Sequence, residues 1–141
     1  MGKNGETVYA ERGAGAYVRR NGTASQLRVS DNSNTLWLSG KGEQAANLVR
    51  NAMLARQWFI WQFSSSIAYP YVATGRIAGL VHYSEHLSSV HTAAGCFVAE
   101  QAGAIVTDTD GNPWNLENRS YLLASTPALH EKLYSLIEKS Q

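Results

Sequence analysis

The sequence predicts an α/β fold: a mixed, mostly parallel sheet of about five strands with helices on its faces, preceded by an antiparallel hairpin. Two patterns lead to this prediction: apolar runs of strand length alternate with helical patterns after Thr35, and a glycine loop joins two alternating segments near the N-terminus. Hydrophobic residues make up 44% and charged residues 16% of the 141 residues, which is typical of a globular chain. We expect one domain, with residues 1–34 as the hairpin segment and residues 35–141 as the α/β layer.

The N-terminal segment has the pattern of antiparallel strands. Residues Thr7 to Arg12 alternate in polarity, Gly13 to Gly15 turn the chain, and Ala16 to Arg19 return. Asn21-Gly22 is a second strong turn signal, and a further short strand is predicted over Gln26 to Ser30.

A small hairpin with no partner sheet has an unpaired edge and an uncovered apolar face. We therefore expect the hairpin, Thr7 to Ser30, to pair with a second copy of the chain or with a partner protein. The alternative is that it folds back onto Trp37 or Trp58 of its own chain.

Helical spacing of apolar residues and short apolar runs predict the remaining elements. In chain order these are a strand at 35–38, a helix at 43–55, a buried strand at 57–63, a helix at 64–74, a strand at 77–82, a helix at 91–102, and strands at 104–107 and 121–125. Pro70 falls inside the second predicted helix, and Gly103 ends the third. Thr126 and Pro127 are typical of the start of a last helix. The buried stripe predicted for that helix is Leu129, Leu133, Leu136 and Ile137.

Charge and apolar patterning exclude several classes of protein. The formal net charge is +1 with no basic stripe, so nucleic acid is not an expected partner. No apolar stretch approaches the ~18–20 residues of a membrane span, and Met1 to Thr7 lacks the apolar core of a signal peptide. Cys96 is the single cysteine and cannot form an intramolecular disulfide, which favours a reducing compartment. We expect no membrane association and a cytoplasmic location.

Three segments, taken in order, resemble a known family. They are Tyr9 to Tyr17 followed by Asn21-Gly22, then Val72 to Gly79, and then Val90 to Ala104. Together they resemble the second half of the inositol monophosphatases, which are Mg²⁺-dependent, lithium-sensitive phosphomonoesterases. The resemblance extends from Glu6 to about Lys139 and covers only the C-terminal half of that fold.

The resemblance implies relatives that hydrolyse inositol or sugar phosphate monoesters with Mg²⁺ held by carboxylates. In that family an aspartate at the position of His91 binds a catalytic magnesium, and the other metal ligands lie in a first half that nothing in this chain matches. Imidazole suits Zn²⁺ or Cu²⁺, whereas Mg²⁺ prefers oxygen ligands. We therefore expect a truncated relative with a degenerate active site, without Mg²⁺-dependent phosphatase activity of its own, and no cofactor for the isolated chain.

Two alternatives for the function remain open at this point. In the first, the chain is one half of an active phosphomonoesterase that another chain completes. In the second, it is a regulatory module that binds a phosphate, sugar or sugar-phosphate ligand without metal.

The resemblance also implies which residues bind substrate. Three successive serines occupy the position of a glycine–serine/threonine–x–alanine stretch that meets substrate at a helix start, although they could instead simply cap the helix. A further serine falls where the family has an acidic residue that contacts a substrate hydroxyl, with a glutamate one residue later. The predicted substrate-binding set is Ser64, Ser65, Ser66, Ser84, Glu85 and His91.

The histidines allow a different site. His82, His86 and His91 fall within ten residues of one another, with Glu85 among them. Such a run holds Zn²⁺ only if its side chains converge, and the spacing does not force them to. A metal site therefore remains an alternative, and His91 otherwise caps its helix or binds an anion.

Two other conspicuous features have structural interpretations. Cys96 lies in a run of small apolar residues and is predicted to be a buried, inert thiol. Asp108, Asp110 and Glu117 surround a turn signal and are predicted to be solvated.

Overall fold

The fold consists of a three-stranded antiparallel sheet and a five-stranded mixed sheet with helices. It is known from a computed structural model that describes residues 5–63, 65–84 and 89–141. This architecture confirms the predicted fold class. Among the helices of these residues, none has the length and apolar character needed to cross a membrane. The elements in chain order are β1 (Glu6–Glu11), β2 (Gly15–Arg20), β3 (Thr23–Leu27), β4 (Thr35–Gly40), α1 (Glu43–Leu54), β5 (Phe59–Trp61), α2 (Ala68–Ala73), β6 (Gly79–Tyr83), α3 (Ser89–Gln101), β7 (Ile105–Thr107), β8 (Ser120–Ala124) and α4 (Pro127–Glu138).

The N-terminal sheet has the strand order β1-β2-β3, and both neighbouring pairs are antiparallel. Asn21 (φ 50°) and Gly22 (φ 83°) both have positive φ, as a two-residue type I′ hairpin turn requires. Such a turn continues the strand pairing at once, so β3 begins at Thr23. The strand predicted over Gln26 to Ser30 was therefore placed too far along the chain.

Helix α3 covers the inner face of this sheet. Val8 and Ala10 of β1 and Ala16 of β2 pack into the same hydrophobic cluster as Ala102, which follows α3. The backbone N–H of Val29 also donates to the carbonyl of Ala102 at 3.0 Å. The expected uncovered face is therefore wrong, because the hairpin folds back onto its own chain with α3 as the main contact. Strands β1 and β3 remain the two edges of the sheet.

The larger sheet has the strand order β5-β4-β6-β8-β7. Strand β4 pairs in parallel with β5 and β6, and β8 runs antiparallel to both of its neighbours, so four strands share one direction. Helices α2 and α3 pack on the face that carries Trp37 and Leu80, which we call the first face. Helices α1 and α4 pack on the second face, which carries Leu36 and Leu122. The prediction of helices on both faces is confirmed.

Strand β5 differs from its prediction. It covers only Phe59–Trp61 and forms an edge of the sheet, with Phe59 69% and Trp61 43% exposed. The predicted burial is wrong because a run of apolar residues does not show whether its strand lies at the centre or at the edge of a sheet. The neighbouring Trp58 does pack partly against the core of the second face.

Helix α2 is shorter than predicted and begins only at Ala68. Ile67 occupies the N-cap position without a side-chain cap, and Ser65 Oγ accepts the N–H of Ile67 at 3.3 Å. Pro70 lies in the first turn, where its missing N–H is not needed. Ser65 and Ser66 therefore form the approach to the helix, and the interpretation that they cap it is wrong.

Helix α4 begins as predicted. Thr126 Oγ1 accepts the N–H of Leu129 at 3.2 Å, and Pro127 occupies the first turn. Leu133 and Ile137 are fully buried on the second face, so the predicted stripe is the one that packs.

Candidate ligand-binding site at the start of helix α3

A small cavity of about 230 Å³ lies on the first face of the sheet, beside the starts of α2 and α3. Strands β4 and β6 run parallel, so their carboxyl ends meet at one edge of the sheet and bring these parts of the chain together. The residues that line the cavity are Trp37, Ser65, Ser66, Tyr69, His82, His91 and Thr92.

The structure brings together part of the predicted substrate-binding set. Ser65, Ser66 and His91 line this cavity, and His82 from the histidine run joins them. Ser84 lines a different crevice, so it does not contribute to this cavity. The predicted residues at positions 64, 85 and 86, namely Ser64, Glu85 and His86, lie outside the described residues.

Trp37 organises the back of the cavity. Its indole Nε1–H donates to the carbonyl of Phe63 at 2.8 Å, which fixes the chain before α2. Its ring stacks on His82, with centroids 5.4 Å apart and an angle of 8° between the planes. Tyr69 lies edge-on to Trp37 at 6.1 Å and tilted against His82 at 6.4 Å. These contacts hold the imidazole of His82 in one orientation.

Two polar atoms of residues that line the cavity are buried without a hydrogen-bond partner in the described part of the chain. They are the hydroxyl of Tyr69, a residue only 2% exposed, and Nδ1 of His82. Burial raises the pKa of Tyr69 and lowers the pKa of His82, so the phenol stays protonated and the imidazole tends to be neutral. A buried polar group without a partner costs about 1–3 kcal/mol. A bound ligand would remove that cost.

The start of α3 is fixed to the sheet by a short relay. Thr92 Oγ1 donates to the hydroxyl of Tyr121 at 3.2 Å, and that hydroxyl donates to the carbonyl of Asn118 at 2.9 Å. Thr92 and Tyr121 are both buried. The relay therefore holds the first turn of α3, with the exposed His91 beside it, against the cavity.

Sequence reasoning missed the roles of Trp37 and Tyr69 in this cavity: it named Trp37 only as a packing partner for the hairpin, and it included Tyr69 only within the predicted helix at 64–74. The strand register holds a usable signal: Trp37 pairs with Leu80, and Ser39 pairs with His82, so Trp37 and His82 project from the same face of neighbouring strands. No comparable local signal identifies Tyr69, because its position depends on how α2 packs against the sheet.

The donor atoms of this cavity do not fit Mg²⁺. Hydroxyl groups, a phenol and two imidazoles line it, and none of the described lining residues is Asp or Glu. Mg²⁺ prefers carboxylate and water oxygens in octahedral geometry. Within residues 5–63, 65–84 and 89–141, no group of three His, Cys, Asp or Glu side chains is placed to hold a metal ion.

A wider groove of about 510 Å³ adjoins the cavity, and His91 and Ser66 line both. The groove runs between α2, α3 and the edge strand β1. On its β1 side the carboxylate of Glu6 binds Arg20 at 2.7 Å and Arg76 at 3.1 Å, and the hydrogen bond from Arg20 is the main reason that the pKa of Glu6 is lowered. The site therefore opens toward the free edge of the N-terminal sheet.

The other conspicuous residues lie as predicted. Cys96 is fully buried, and burial raises the pKa of its thiol, so it is an inert part of the core. Asp108 Oδ1 accepts the N–H groups of Asp110 at 2.9 Å and Asn112 at 2.8 Å, which makes it a turn residue.

Comparison with known proteins identifies related chains. The model of the inositol monophosphatase family matches residues 3–141. A bifunctional NADP phosphatase/NAD kinase of Methanococcus maripaludis is 28% identical over 143 residues, which cover 94% of this chain and 25% of that protein. The inositol-1-monophosphatase ImpA of Mycolicibacterium smegmatis is 34% identical over 70 residues, which cover 50% of this chain and 24% of that protein.

Solved structures show the same fold. A Thermotoga maritima IMPase superimposes with a TM-score of 0.77 at 23% identity, covering 96% of this chain and 52% of its own. The extragenic suppressor protein suhB of Bartonella henselae superimposes with a TM-score of 0.78 at 25% identity, covering 95% of this chain and 53% of its own. The chain thus spans about half the length of the structures it matches, and a quarter of the curated relatives.

The lowered pKa of His82 predicts a pH dependence of stability. Burial lowers that pKa below its ordinary value of 6.5, so the unfolded chain binds more protons than the folded chain between the lowered pKa and 6.5. The free energy of unfolding should therefore fall as the pH decreases through this window, and His82→Gln should reduce the slope. Urea unfolding across the window measures it. Burial also lowers the pKa of His130, so His130→Gln should reduce the slope by its own contribution, and the double variant should reduce it further. An unchanged slope in His82→Gln would contradict the burial argument.

Proposed function

This chain belongs to the inositol monophosphatase family, and we propose that by itself it binds phosphate monoesters, such as inositol or sugar phosphates, without hydrolysing them. The observation that carries this proposal is a pair of buried polar atoms beside the cavity at the start of α3 that have no hydrogen-bond partner in the described part of the chain. Tyr69 Oη and His82 Nδ1 both belong to residues that line a space of about 230 Å³. A ligand with several hydrogen-bonding oxygens supplies the partners that these atoms lack.

The lining suits a phosphate group better than a cation. The protonated phenol of Tyr69 and the hydroxyls of Ser65 and Ser66 are donors, and phosphate oxygens are strong acceptors. His91 is the third residue of α3, so the positive end of the helix dipole also lies beside the cavity. A neutral His82 donates or accepts through Nδ1 according to its tautomer.

Hydrolysis in this family requires metal ions and the carboxylates that hold them, which the described lining of the cavity does not include. The family's chemistry uses metal ions to activate a water and stabilise the leaving oxygen. The described residues that line the cavity carry no carboxylate to hold Mg²⁺. We expect His91 to stand in for a ligand aspartate of the family, as the resemblance implies. Binding residues alone do not replace a metal-activated nucleophile, so we propose no catalytic turnover for the chain alone.

A second candidate function is one half of an active phosphomonoesterase that another chain completes. The edge of β1 favours it, because β1 borders the groove that leads to His91. A strand added to this edge by a second copy or a partner protein would satisfy unpaired backbone groups and bring new side chains toward the cavity. Exposed apolar residues of the groove, Ile67 (47%) and Val90 (84%), would be covered in the same step.

Tyr69→Phe tests phosphate binding. The variant keeps the ring and removes the partnerless hydroxyl, so affinity for myo-inositol 1-phosphate should fall roughly three- to tenfold. The ligand-free chain should be no less stable than wild type, because the hydroxyl makes no hydrogen bond within the described chain. Calorimetric titration and urea unfolding measure the two effects. Tyr9→Phe, on the opposite side of the N-terminal sheet, is the matched control. Lost stability with unchanged affinity would assign Tyr69 a purely structural role.

The purified chain should show no Mg²⁺-dependent phosphomonoesterase activity. His91→Asp should not restore it, because one carboxylate does not assemble a multi-metal site. Phosphate release from inositol and sugar phosphates, with and without EDTA, measures this. Turnover that disappears both with EDTA and in His91→Ala would show that the chain is an enzyme by itself.

Self-association through β1 should be visible in solution. At micromolar concentration, light scattering should give a mass above the 15.4 kDa of one chain. Thr7→Lys, at the exposed edge of β1, should lower that mass, since charged residues block strand pairing. Thr23→Lys, at the β3 edge, is the control and should leave it unchanged. A monomer in all three samples would contradict pairing between copies and leave a different partner protein as the candidate.

A further inference from the structure

A group of exposed apolar side chains surrounds β5, an outer strand of the larger sheet. Eight large apolar side chains are exposed in the described part of the chain, and five of them lie within residues 53–63. Single apolar residues scattered over a surface are normal, whereas a contiguous group indicates an interaction site. We call this group the β5 surface, and its members are Met53 (61% exposed), Leu54 (72%), Phe59 (69%), Trp61 (43%) and Phe63 (39%).

On the first face of the sheet, the β5 surface extends the apolar layer beyond the edge. Trp61 pairs in register with Trp37, so it projects from the first face, as does Phe59 two residues earlier. The ring of Phe63 has its centroid 5.8 Å from that of Trp37 and 6.1 Å from that of Trp61. Ile60 projects the other way and packs with the core of the second face. Because β5 pairs only with β4 among the described strands, a further strand on its outer edge would meet apolar neighbours.

The end of α1 supplies the same kind of surface on the second face. A hollow of about 490 Å³ lies there, and Val49 also lines a neighbouring hollow of about 330 Å³ that reaches Phe63. The apolar surface therefore continues from α1 to the segment that follows β5. The residues that line the larger hollow are Ala46, Val49, Arg50, Met53, Leu54 and Arg56.

Two arginines determine the charge of this region. Arg50 and Arg56 line the larger hollow and are exposed. Neither forms a salt bridge within the described residues, and the guanidinium of Arg50 donates to Asn47 Oδ1 of its own helix at 3.1 Å. No Asp or Glu is among the described residues that line either hollow, and the acidic residue of α1, Glu43, lies about two turns before Arg50. The β5 surface is therefore apolar, with a positive flank that the described chain does not neutralise.

The charges distinguish between possible occupants of this surface. A second copy placed across a two-fold axis would bring the same arginines into one interface, and the lining of the two hollows would supply no carboxylate to them. An extended segment of another protein pairs with the edge of β5 and places alternate apolar side chains on the two faces. Acidic residues in that segment complement Arg50 and Arg56.

We infer that the β5 surface binds an extended, acidic segment of a partner protein, which adds a strand to the outer edge of β5. The inference goes beyond the proposed function, because none of the five members of the β5 surface lines the α3 cavity. It also concerns a different sheet from the edge of β1, so failure of one proposal leaves the others standing.

Backbone amide chemical shifts of the full chain, labelled with ¹⁵N, test the inference. The probe is a short synthetic peptide of alternating valine and phenylalanine with glutamates at both ends, and a second peptide has lysines in place of the glutamates. The glutamate peptide should give saturable shifts at residues 59–63, and the lysine peptide should bind about threefold more weakly or worse. The double variant Arg50→Gln/Arg56→Gln should remove this difference between the two peptides.

A charge on the edge strand should weaken binding directly. Phe59→Lys should lower the affinity for the glutamate peptide about tenfold or more, because a charged side chain on an edge opposes strand pairing. The matched control is Leu116→Lys, which makes the same kind of change at an exposed apolar residue outside the β5 surface and should leave the affinity unchanged. Urea unfolding verifies that each variant is folded.

Three results would overturn the inference: no saturable shift at residues 59–63, equal affinity for the two peptides, or equal affinity of Phe59→Lys and wild type for the glutamate peptide. Shifts confined to residues 6–11 would place the peptide on the edge of β1 and reject the β5 surface. Shifts at residues 59–63 that depend on protein concentration in the peptide-free Thr7→Lys chain would assign the surface to a second copy instead.

Discussion

The packing of Trp37 is the interaction on which the candidate site depends. This residue lies in the middle of β4, is 1% exposed and contacts three separate parts of the chain. Its indole N–H fixes the carbonyl of Phe63 ahead of α2, and its ring orients His82. An indole N–H is normally satisfied when it is buried, so the position of the segment before α2 follows from the burial of one side chain.

The same packing leaves two polar atoms, Tyr69 Oη and His82 Nδ1, without hydrogen-bond partners among the described residues. A core that contained only this lobe would be more stable with apolar groups at Tyr69 and His82. Polar groups without partners in a buried aromatic cluster reduce the stability of the fold, and such departures from the most stable sequence concentrate at functional sites. We therefore interpret the cavity as a binding site whose polar groups are satisfied by a ligand.

The second feature that determines the surfaces of this molecule is that it corresponds to only about half of the solved relatives. The solved relatives are about twice as long, and this chain matches about half of each. Helix α3 covers the inner face of the N-terminal sheet, which accounts for how the hairpin packs without a partner sheet. We propose that further protein meets this chain at the edge of β1 and the adjoining groove, which His91 also lines.

The sequence correctly predicted those turns and helix ends that depend only on a few adjacent residues. The Asn21-Gly22 turn, the Thr126-Pro127 helix start and the end of α3 at Gly103 each depend on a few adjacent residues, and the structure contains all three. The exposure of Phe59 could not be predicted in the same way, because it depends on the position of β5 in the sheet.

The same distinction applies to the site. Ser65, Ser66 and His91 were predicted from the family resemblance and do share the cavity. The roles of Trp37 and Tyr69 arise from strand register and helix packing, which no motif encodes. Ser84 was also predicted from the family resemblance, but it lines a different crevice and not the α3 cavity.

The most direct test of metal-free phosphate binding is a crystal structure of the chain grown with myo-inositol 1-phosphate and EDTA. We expect a phosphate group in the cavity at the start of α3, within hydrogen-bonding distance of the Tyr69 hydroxyl and His82 Nδ1, with no metal ion between ligand and protein. An empty cavity under these conditions, or a ligand that binds only when Mg²⁺ is added, would contradict it.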